Sequence, residues 1–141
     1  MIFNQLCFLS CTKEIFVLVR EETPNQIEGC LTFEMKDKKE PYMAFIEVAP
    51  HNFGKEKQYE NVAACLIAFA CRLSFMHASD HYKGWLAFDV IEAEKENEIK
   101  LMANYSKKYG ALKFGETTMV IPPAGGKKLI DEFLNFNYEN Y

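Results

Sequence analysis

Apolar-rich runs separated by polar segments occupy the first third of the chain, in the pattern of extended strands. Residues 14–20 and 27–35 are rich in β-branched and aromatic side chains, and the turn-forming segment 21–26 separates them. These two runs predict an antiparallel hairpin. A charged turn at 36–40 then leads to a third extended run at 42–49. The first dozen residues are ambiguous.

Apolar residues take helical spacing in the middle of the chain. From about Tyr59 to Phe75 they recur every three or four positions, and several alanines would let this helix lie close to a sheet. The elements expected after it are a strand, an amphipathic helix, a strand and a closing helix, at 84–90, 95–109, 112–121 and 124–136. Gly110 is expected to end the amphipathic helix.

The resulting order of elements is β-β-β-α-β-α-β-α. A strand–helix–strand crossover in the middle of this order requires a parallel strand pair, so we expect a mixed sheet in an α/β (α+β) domain.

Length and composition favour a single soluble domain. The chain has 141 residues, of which 49% are hydrophobic and 14% aromatic, and no repeat or linker divides it, so residues 1–141 are expected to form one domain. A net charge of −4 argues against a nucleic-acid partner. No signal-peptide pattern and no apolar run of about 20 residues is visible, so no membrane partner is expected.

The five cysteines are odd in number and scattered, which argues against a disulfide framework and indicates a reducing cytoplasm. The pairs Cys7-x3-Cys11 and His77-x3-His81 could form a zinc site on paper. Neither has the tight spacing of a structural zinc knuckle, so no metal site is predicted.

A polar segment precedes the apolar helix, and the unpaired N–H groups and positive dipole end of a helix N-terminus suit phosphate. The strand end Val48-x-Pro50, the segment Gln58-x-x-Asn61-x-Ala63 and the late run NYSKKYGALKFGETTMVI, taken in this order of elements, resemble the GNAT superfamily of N-acetyltransferases, in particular its small bacterial members. The resemblance covers roughly residues 27–121.

The resemblance implies a GNAT-like, mostly antiparallel sheet with a central parallel strand pair and helices on both faces, and acetyl-CoA as cofactor. The family signature here is Gln/Arg-x-x-Gly-x-Gly/Ala, whose amides wrap the pyrophosphate. Gln58 and Ala63 match it, while Asn61 replaces the first Gly, and Asn tolerates a left-handed backbone better than other non-Gly residues. The residues so implied in cofactor binding are Val48, Pro50, Lys55, Lys57, Gln58, Tyr59, Asn61, Val62 and Ala63. The alternative is a solvated turn that merely caps a core helix.

Glu47 is the candidate general base. It is the only acid in 42–49, and regular alternation would put it on one face with Met43 and Phe45. Apolar neighbours raise the pKa of a carboxyl group, which suits a base acting on an ammonium group, and the resemblance implies the same role. A carboxylate paired structurally, or at the sheet margin, is the alternative.

Tyr105 is the candidate acid for the departing thiolate, because the superfamily commonly places a tyrosine on this helix. Tyr109 competes for the role, and simple packing is the alternative for both. A backbone N–H near Val48 would hold the oxyanion if the strand splays there. His51 adjoins the loop and could bond backbone or cofactor, or act as a base.

The predicted function is therefore acetyl transfer from acetyl-CoA to a primary amine. The expected acceptor is a small molecule or a peptide, with no nucleic acid among the partners. Too few residues precede the hairpin at 14–35 to build the two helices that usually wall the acceptor side, so a homodimer is a further possibility. The alternatives are a GNAT-like CoA-binding or interaction module without activity, and a structural domain without cofactor.

Overall fold

The structure, a computed structural model, describes residues 2–8, 13–53 and 61–134. Within these ranges seven strands form one sheet in the order β1-β2-β3-β4-β5-β7-β6. The strands are β1 (Ile2–Phe8), β2 (Lys13–Arg20), β3 (Thr23–Lys36), β4 (Glu40–Val48), β5 (Leu86–Asp89), β6 (Leu112–Lys113) and β7 (Thr118–Ile121). The helices are α1 (Val62–His77), α2 (Lys95–Tyr109) and α3 (Pro123–Phe133).

The hairpin expected in the first third of the chain is confirmed. Strands β2 and β3 pair antiparallel through a turn at Glu21 and Glu22, and β4 continues the antiparallel order beside β3. The ambiguous beginning of the chain contains β1, which pairs antiparallel with β2.

The central parallel pair is also confirmed, between β4 and β5. With all other strand pairs antiparallel, the sheet is the GNAT-like mixed sheet that the sequence predicts. The run 112–121 is two short strands rather than one, because the chain turns back at Phe114, whose N–H and that of Gly115 both donate to the Thr118 carbonyl.

The three described helices lie on one face of the sheet, whereas helices on both faces were expected. Helix α1 lies on β3, since a Cβ at Gly29 would be 3.0 Å from Leu66. Phe88 of β5 points to the same side, and its ring contacts Tyr105 of α2 edge to face at 5.3 Å. Gly126 of α3 lies against Cys71 of α1. We call this side the helical face and the other the open face.

The hydrophobic core lies between α1 and the sheet. Its fully buried side chains include Leu18, Leu31, Phe33, Leu66, Ile67, Leu86, Met119 and Ile121. Since each of these side chains removes a large apolar surface from water, about 2 kcal/mol apiece by transfer, the core fixes α1 against β3, β4 and β5.

No helix in the described part of the chain is long and apolar enough to cross a membrane. Among the described residues, no group of three His, Cys, Asp or Glu side chains is arranged to hold a metal ion. Cys11 lies outside the described residues.

Candidate functional site

The parallel strands β4 and β5 pair only at Tyr42 and Ala87 and part beyond that point. Alternate residues of a strand direct their N–H groups to opposite sides, and the N–H of Ala49 donates to the Glu28 carbonyl of β3. The N–H of Val48 therefore points away from β3, into the gap between β4 and β5. This gap is where the sequence analysis expected free main-chain groups.

A β-bulge at Ala44 changes which face of β4 carries Glu47. In the β3–β4 register Thr32 pairs with Phe45 and Phe33 with Met43, so Ala44 is the extra residue. Met43 is buried in the core, whereas Phe45 and Glu47 are exposed. Glu47 thus shares the open face with Phe45, as predicted, but the prediction that Met43 lies on the same face is wrong, because the bulge inverts the alternation.

The cross-strand partner of Glu47 is Cys30. Burial, and then the negative charge of Glu47, raise the pKa of the Cys30 thiol. The carboxylate itself is exposed to solvent on the open face, so the apolar surroundings expected for it are absent. It is accessible to a molecule approaching from that face.

The front of helix α1 begins with a residue in the left-handed conformation. Asn61 has φ 63° and ψ 23° and makes no side-chain cap, and the first intrahelical bond runs from the Cys65 N–H to the Asn61 carbonyl. The N–H groups of Val62 and Ala63 therefore have no intrahelical acceptor. This left-handed backbone is one that glycine adopts readily and that Asn tolerates better than other residues.

Four predicted cofactor-binding residues lie outside the described residues: Lys55, Lys57, Gln58 and Tyr59. Pro50 begins a short 3-10 helix, Pro50–Asn52, directly after β4. Among the described candidates, Val48 and Pro50 thus precede residues 54–60 in the chain, and Asn61, Val62 and Ala63 follow them.

A buried carboxylate beside the turn Pro50–Asn52 was not predicted by the sequence analysis. Glu28 of β3 is fully buried, and its Oε1 lies 2.6 Å from Nε2 of His51 and accepts a hydrogen bond from Nδ2 of Asn52 at 3.0 Å. Gln26 donates to Oε2 at 3.1 Å. Burial opposes ionisation, but the bonds from Asn52, His51 and Gln26 outweigh it and lower the pKa of Glu28.

The two tyrosines of α2 are partly buried on the helical face. The ring of Tyr105 lies against Phe88 of β5 and, at 5.7 Å, beside Tyr109. Burial raises the pKa of both phenols, with a smaller contribution from Glu92 at Tyr105, so both remain protonated at neutral pH. Tyr105 is nearer than Tyr109 to the strand that borders the gap, because it is the one that contacts Phe88.

A cleft of about 600 Å³ opens beside the amino end of β4, over β5 and β7. Its walls carry aromatic rings, at Tyr42, Tyr82, Trp85 and Phe114, together with His81. Trp85 and Phe114 are 39% and 78% exposed. The sequence analysis did not identify this cleft.

Asp89 and Tyr42 form the polar floor of this cleft. The Tyr42 hydroxyl donates to Asp89 Oδ2 at 2.6 Å, and the hydroxyls of Thr117 and Thr118 donate to Oδ1. The Tyr42 bond is the largest of the effects that lower the pKa of Asp89. Burial, followed by the bond to Asp89, raises the pKa of Tyr42 to about 12. The amine of Lys36 lies 3.6 Å from the Tyr42 ring centroid.

No protein-family model matches the chain, and no curated protein matches its sequence. Solved structures match its fold. The KacTA–DNA complex matches with a TM-score of 0.60 at 11% identity over 87% of this chain and 76% of that one. AtaTR bound with acetyl-CoA matches with a TM-score of 0.56 at 14% identity, over 84% and 73% of the two chains.

A third structure, the AtaT Y144F mutant toxin bound to the C-terminus of the antitoxin AtaR and to acetyl-CoA, matches with a TM-score of 0.51 at 16% identity, over 86% and 73% of the chains. These neighbours have the GNAT fold, so the predicted fold is confirmed. At identities this low the likeness concerns the fold alone.

The predicted partners, an amine-bearing small molecule or peptide and no nucleic acid, are wrong. One protein of this fold is found in a complex with DNA, and another holds an antitoxin segment. The prediction used the net charge of the whole chain, which describes neither a local surface nor a partner that carries the nucleic-acid contact.

Proposed function

We propose that this chain is an acetyl-CoA-dependent N-acetyltransferase. The observation that carries the proposal is the parting of β4 and β5 beyond Tyr42 and Ala87, with the uncapped N-terminus of α1 close to the end of β4. A thioester in that gap would meet free main-chain groups along its length, and a diphosphate would meet the first amides of α1.

The donor would lie along the free side of β4. The pantetheine amides of the cofactor would pair with main-chain groups near Val48, in the manner of an added strand. The diphosphate would be bound by the amides of Val62 and Ala63, and the left-handed Asn61 supports this role because it turns the chain into the helix without a side-chain cap. Further contacts with the cofactor would come from Lys55, Lys57, Gln58 and Tyr59.

The chemistry requires a neutral amine, a stabilised oxyanion and a proton for the leaving thiolate. Glu47 would accept the proton of the acceptor ammonium, directly or through water. The amine then attacks the thioester carbon, and the Val48 N–H donates to the oxyanion. As the C–S bond breaks, Tyr105 gives its proton to the thiolate, and the raised pKa of this phenol keeps that proton available. The attacking nitrogen loses its remaining extra proton to water, which gives the neutral amide, and water returns a proton to Tyr105.

The acceptor amine is proposed to belong to a macromolecule. Glu47 lies on the open face, where no described helix covers it, and the aromatic cleft opens on the same face. An open face of this kind can admit a large acceptor. Macromolecular partners of similar folds, an antitoxin and DNA, agree with this proposal.

Calorimetry with acetyl-CoA tests the donor half. Saturation at 100 times the dissociation constant should raise the free energy of unfolding by about 2.7 kcal/mol. Acetyl-labelled acetyl-CoA with a cell extract, separated into protein, nucleic-acid and small-molecule fractions, tests the acceptor half. Label that enters only the small-molecule fraction would contradict a macromolecular acceptor.

Substitution tests the assigned roles. We expect Glu47→Gln and Tyr105→Phe each to lower the acetylation rate by about 10²-fold or more, the usual contribution of a general acid or base, with unchanged affinity for acetyl-CoA. Glu34→Gln and Tyr109→Phe are the matched controls, from the same sheet and the same helix. If Tyr109→Phe loses activity and Tyr105→Phe keeps it, the acid has been assigned to the wrong tyrosine.

A second candidate is a CoA-binding or interaction module without turnover. The exposure of Glu47 favours it, because enzyme sites commonly exclude water from the reacting groups. This candidate predicts binding of acetyl-CoA without label transfer, so the two experiments above separate it from the enzyme.

A further inference from the structure

Two consecutive residues of β3 contact the described segments before and after residues 54–60. Glu28 holds residues 49–53, the entering segment, and Gly29 receives the first turns of α1, the leaving helix. We propose that this pair sets the position of the α1 N-terminus, whose first amides would bind the diphosphate, relative to the end of β4, and that Glu28 is a positioning residue for the cofactor. The inference rests on the proposed function.

The entering segment bonds to Glu28 through both its backbone and its side chain. The Glu28 carbonyl accepts from the Ala49 N–H at 3.0 Å and from Asn52 Nδ2 at 3.2 Å, and the carboxylate contacts His51 and Asn52. The turn is closed internally by bonds from the Asn52 N–H to Ala49 and from the Phe53 N–H to Pro50. Residues 49–53 are thus fixed as one unit on a single residue.

The leaving helix lies directly on Gly29. A Cβ there would be 3.0 Å from the Glu47 carbonyl oxygen, 3.0 Å from Leu66 Cδ1 and 3.1 Å from Val62 Cγ1. No side chain fits between β3 and the first two turns of α1. Because Gly29 follows Glu28 in the chain, one peptide unit places residues 49–53 and the N-terminus of α1 relative to each other.

A bulge explains why a carboxylate lies inward at this position. In the β2–β3 register Leu18 pairs with Gly29 and Val19 with Ile27, so Glu28 is skipped. A bulged residue can direct its side chain away from the regular alternation. A fully buried carboxylate is costly unless its hydrogen bonds are made, and here Gln26, His51 and Asn52 all contact it. The network therefore specifies one position of the entering segment.

Two thioesters separate a positioning role from a merely structural one. Acetyl-CoA carries the diphosphate, whereas S-acetylpantetheine lacks both the diphosphate and the nucleotide. We expect Glu28→Gln and His51→Asn to weaken acetyl-CoA binding about 10-fold by calorimetry, and to change S-acetylpantetheine binding, followed by NMR titration, less than twofold. A general loss of folding would weaken the binding of both ligands alike.

Glu34→Gln, on the same strand outside the network, is the control and should bind both ligands as the wild type does. If Glu28→Gln does not fold, the comparison of the two thioesters is made with His51→Asn, since this variant leaves Asn52 and Gln26 as donors to the carboxylate. Folded variants that bind acetyl-CoA normally, or that lose both thioesters equally, overturn the inference alone. A wild-type chain that binds neither thioester overturns the proposed function and the inference with it.

Discussion

The two ends of the β4–β5 pair are built in opposite ways. At the carboxyl end of β4 a carboxylate, Glu28, is fully buried and holds a turn through a closed set of hydrogen bonds. Beside the amino end of β4 another carboxylate, Asp89 of β5, forms the floor of an open cleft and is bonded by three hydroxyl groups. The first arrangement fixes backbone, whereas the second presents side chains.

This difference fits the two substrates of the proposed reaction. A diphosphate is bound by main-chain amides, whose positions depend on the chain path, so the donor end needs a rigid anchor. An acceptor is selected by side chains, so the end of the β4–β5 pair that would bind it can be an open cleft lined by aromatic rings. Substitutions at the donor end should therefore cost more stability than substitutions in the cleft, and the following experiments measure that contrast.

The largest effect is expected at Gly29. Gly29→Ala places a Cβ 3.0 Å from a backbone oxygen of Glu47 and as close to Leu66, so α1 or β4 must move. Overpacking of this kind costs about 1–3 kcal/mol, and we expect the free energy of unfolding by urea to fall by about 2 kcal/mol. Weakened binding of acetyl-CoA should accompany the loss.

Gly115→Ala is the matched control. A Cβ at Gly115 would make only ordinary contacts, at 3.6 Å from Thr118, so the stability should change by less than about 0.5 kcal/mol. Equal losses in the two variants would mean that the close approach of α1 to β3 is not what Gly29 provides.

The contrast also explains what sequence alone could predict. Helix α2 has the predicted bounds, 95–109, and Gly110 follows it at φ 69°, because local spacing and a left-handed glycine carry that information. The bulges at Glu28 and Ala44 depend on how one strand registers against the next, which no local pattern contains. In a regular strand Glu28 would share one side with Cys30 and Thr32 and face the solvent, so the sequence did not predict its burial.

The cleft was missed for a related reason. Tyr42 and Asp89 are 47 residues apart and meet only because β4 and β5 are parallel neighbours. The crossover predicts that pairing, but it gives no register, and without a register the contact between the two side chains cannot be derived. The identity of the partners could not be predicted either, because net charge averages over the whole surface and does not describe the part that a partner would contact.

An intermediate effect is expected at Tyr42, and its sign depends on pH. The folded pKa of about 12 lies above the ordinary value of 10, so the stability contributed by the protonated phenol is complete below pH 10 and is lost as the pH rises through 12. The wild type should lose stability over this range. Tyr42→Phe should show a smaller loss, which the buried phenols of Tyr105 and Tyr109 still cause, and it should be about 1 kcal/mol less stable at neutral pH, because the bond to Asp89 is gone.

Urea unfolding at a series of pH values measures both effects. Tyr82→Phe removes a hydroxyl from the same cleft and should keep the alkaline loss of the wild type. An alkaline loss of the same size in Tyr42→Phe would show that the loss does not come from the Tyr42 phenol.

The smallest effect on stability, with the clearest effect on function, is expected at Phe114. This ring is 78% exposed at the rim of the cleft, so Phe114→Ser should change the free energy of unfolding by less than about 0.5 kcal/mol. If the cleft receives the acceptor, the variant should transfer several-fold less acetyl label to the macromolecular fraction of an extract while binding acetyl-CoA as before. Ile99→Ser, an exposed apolar residue of α2, is the control and should transfer label normally. Equal transfer by both variants would place acceptor recognition elsewhere on the open face.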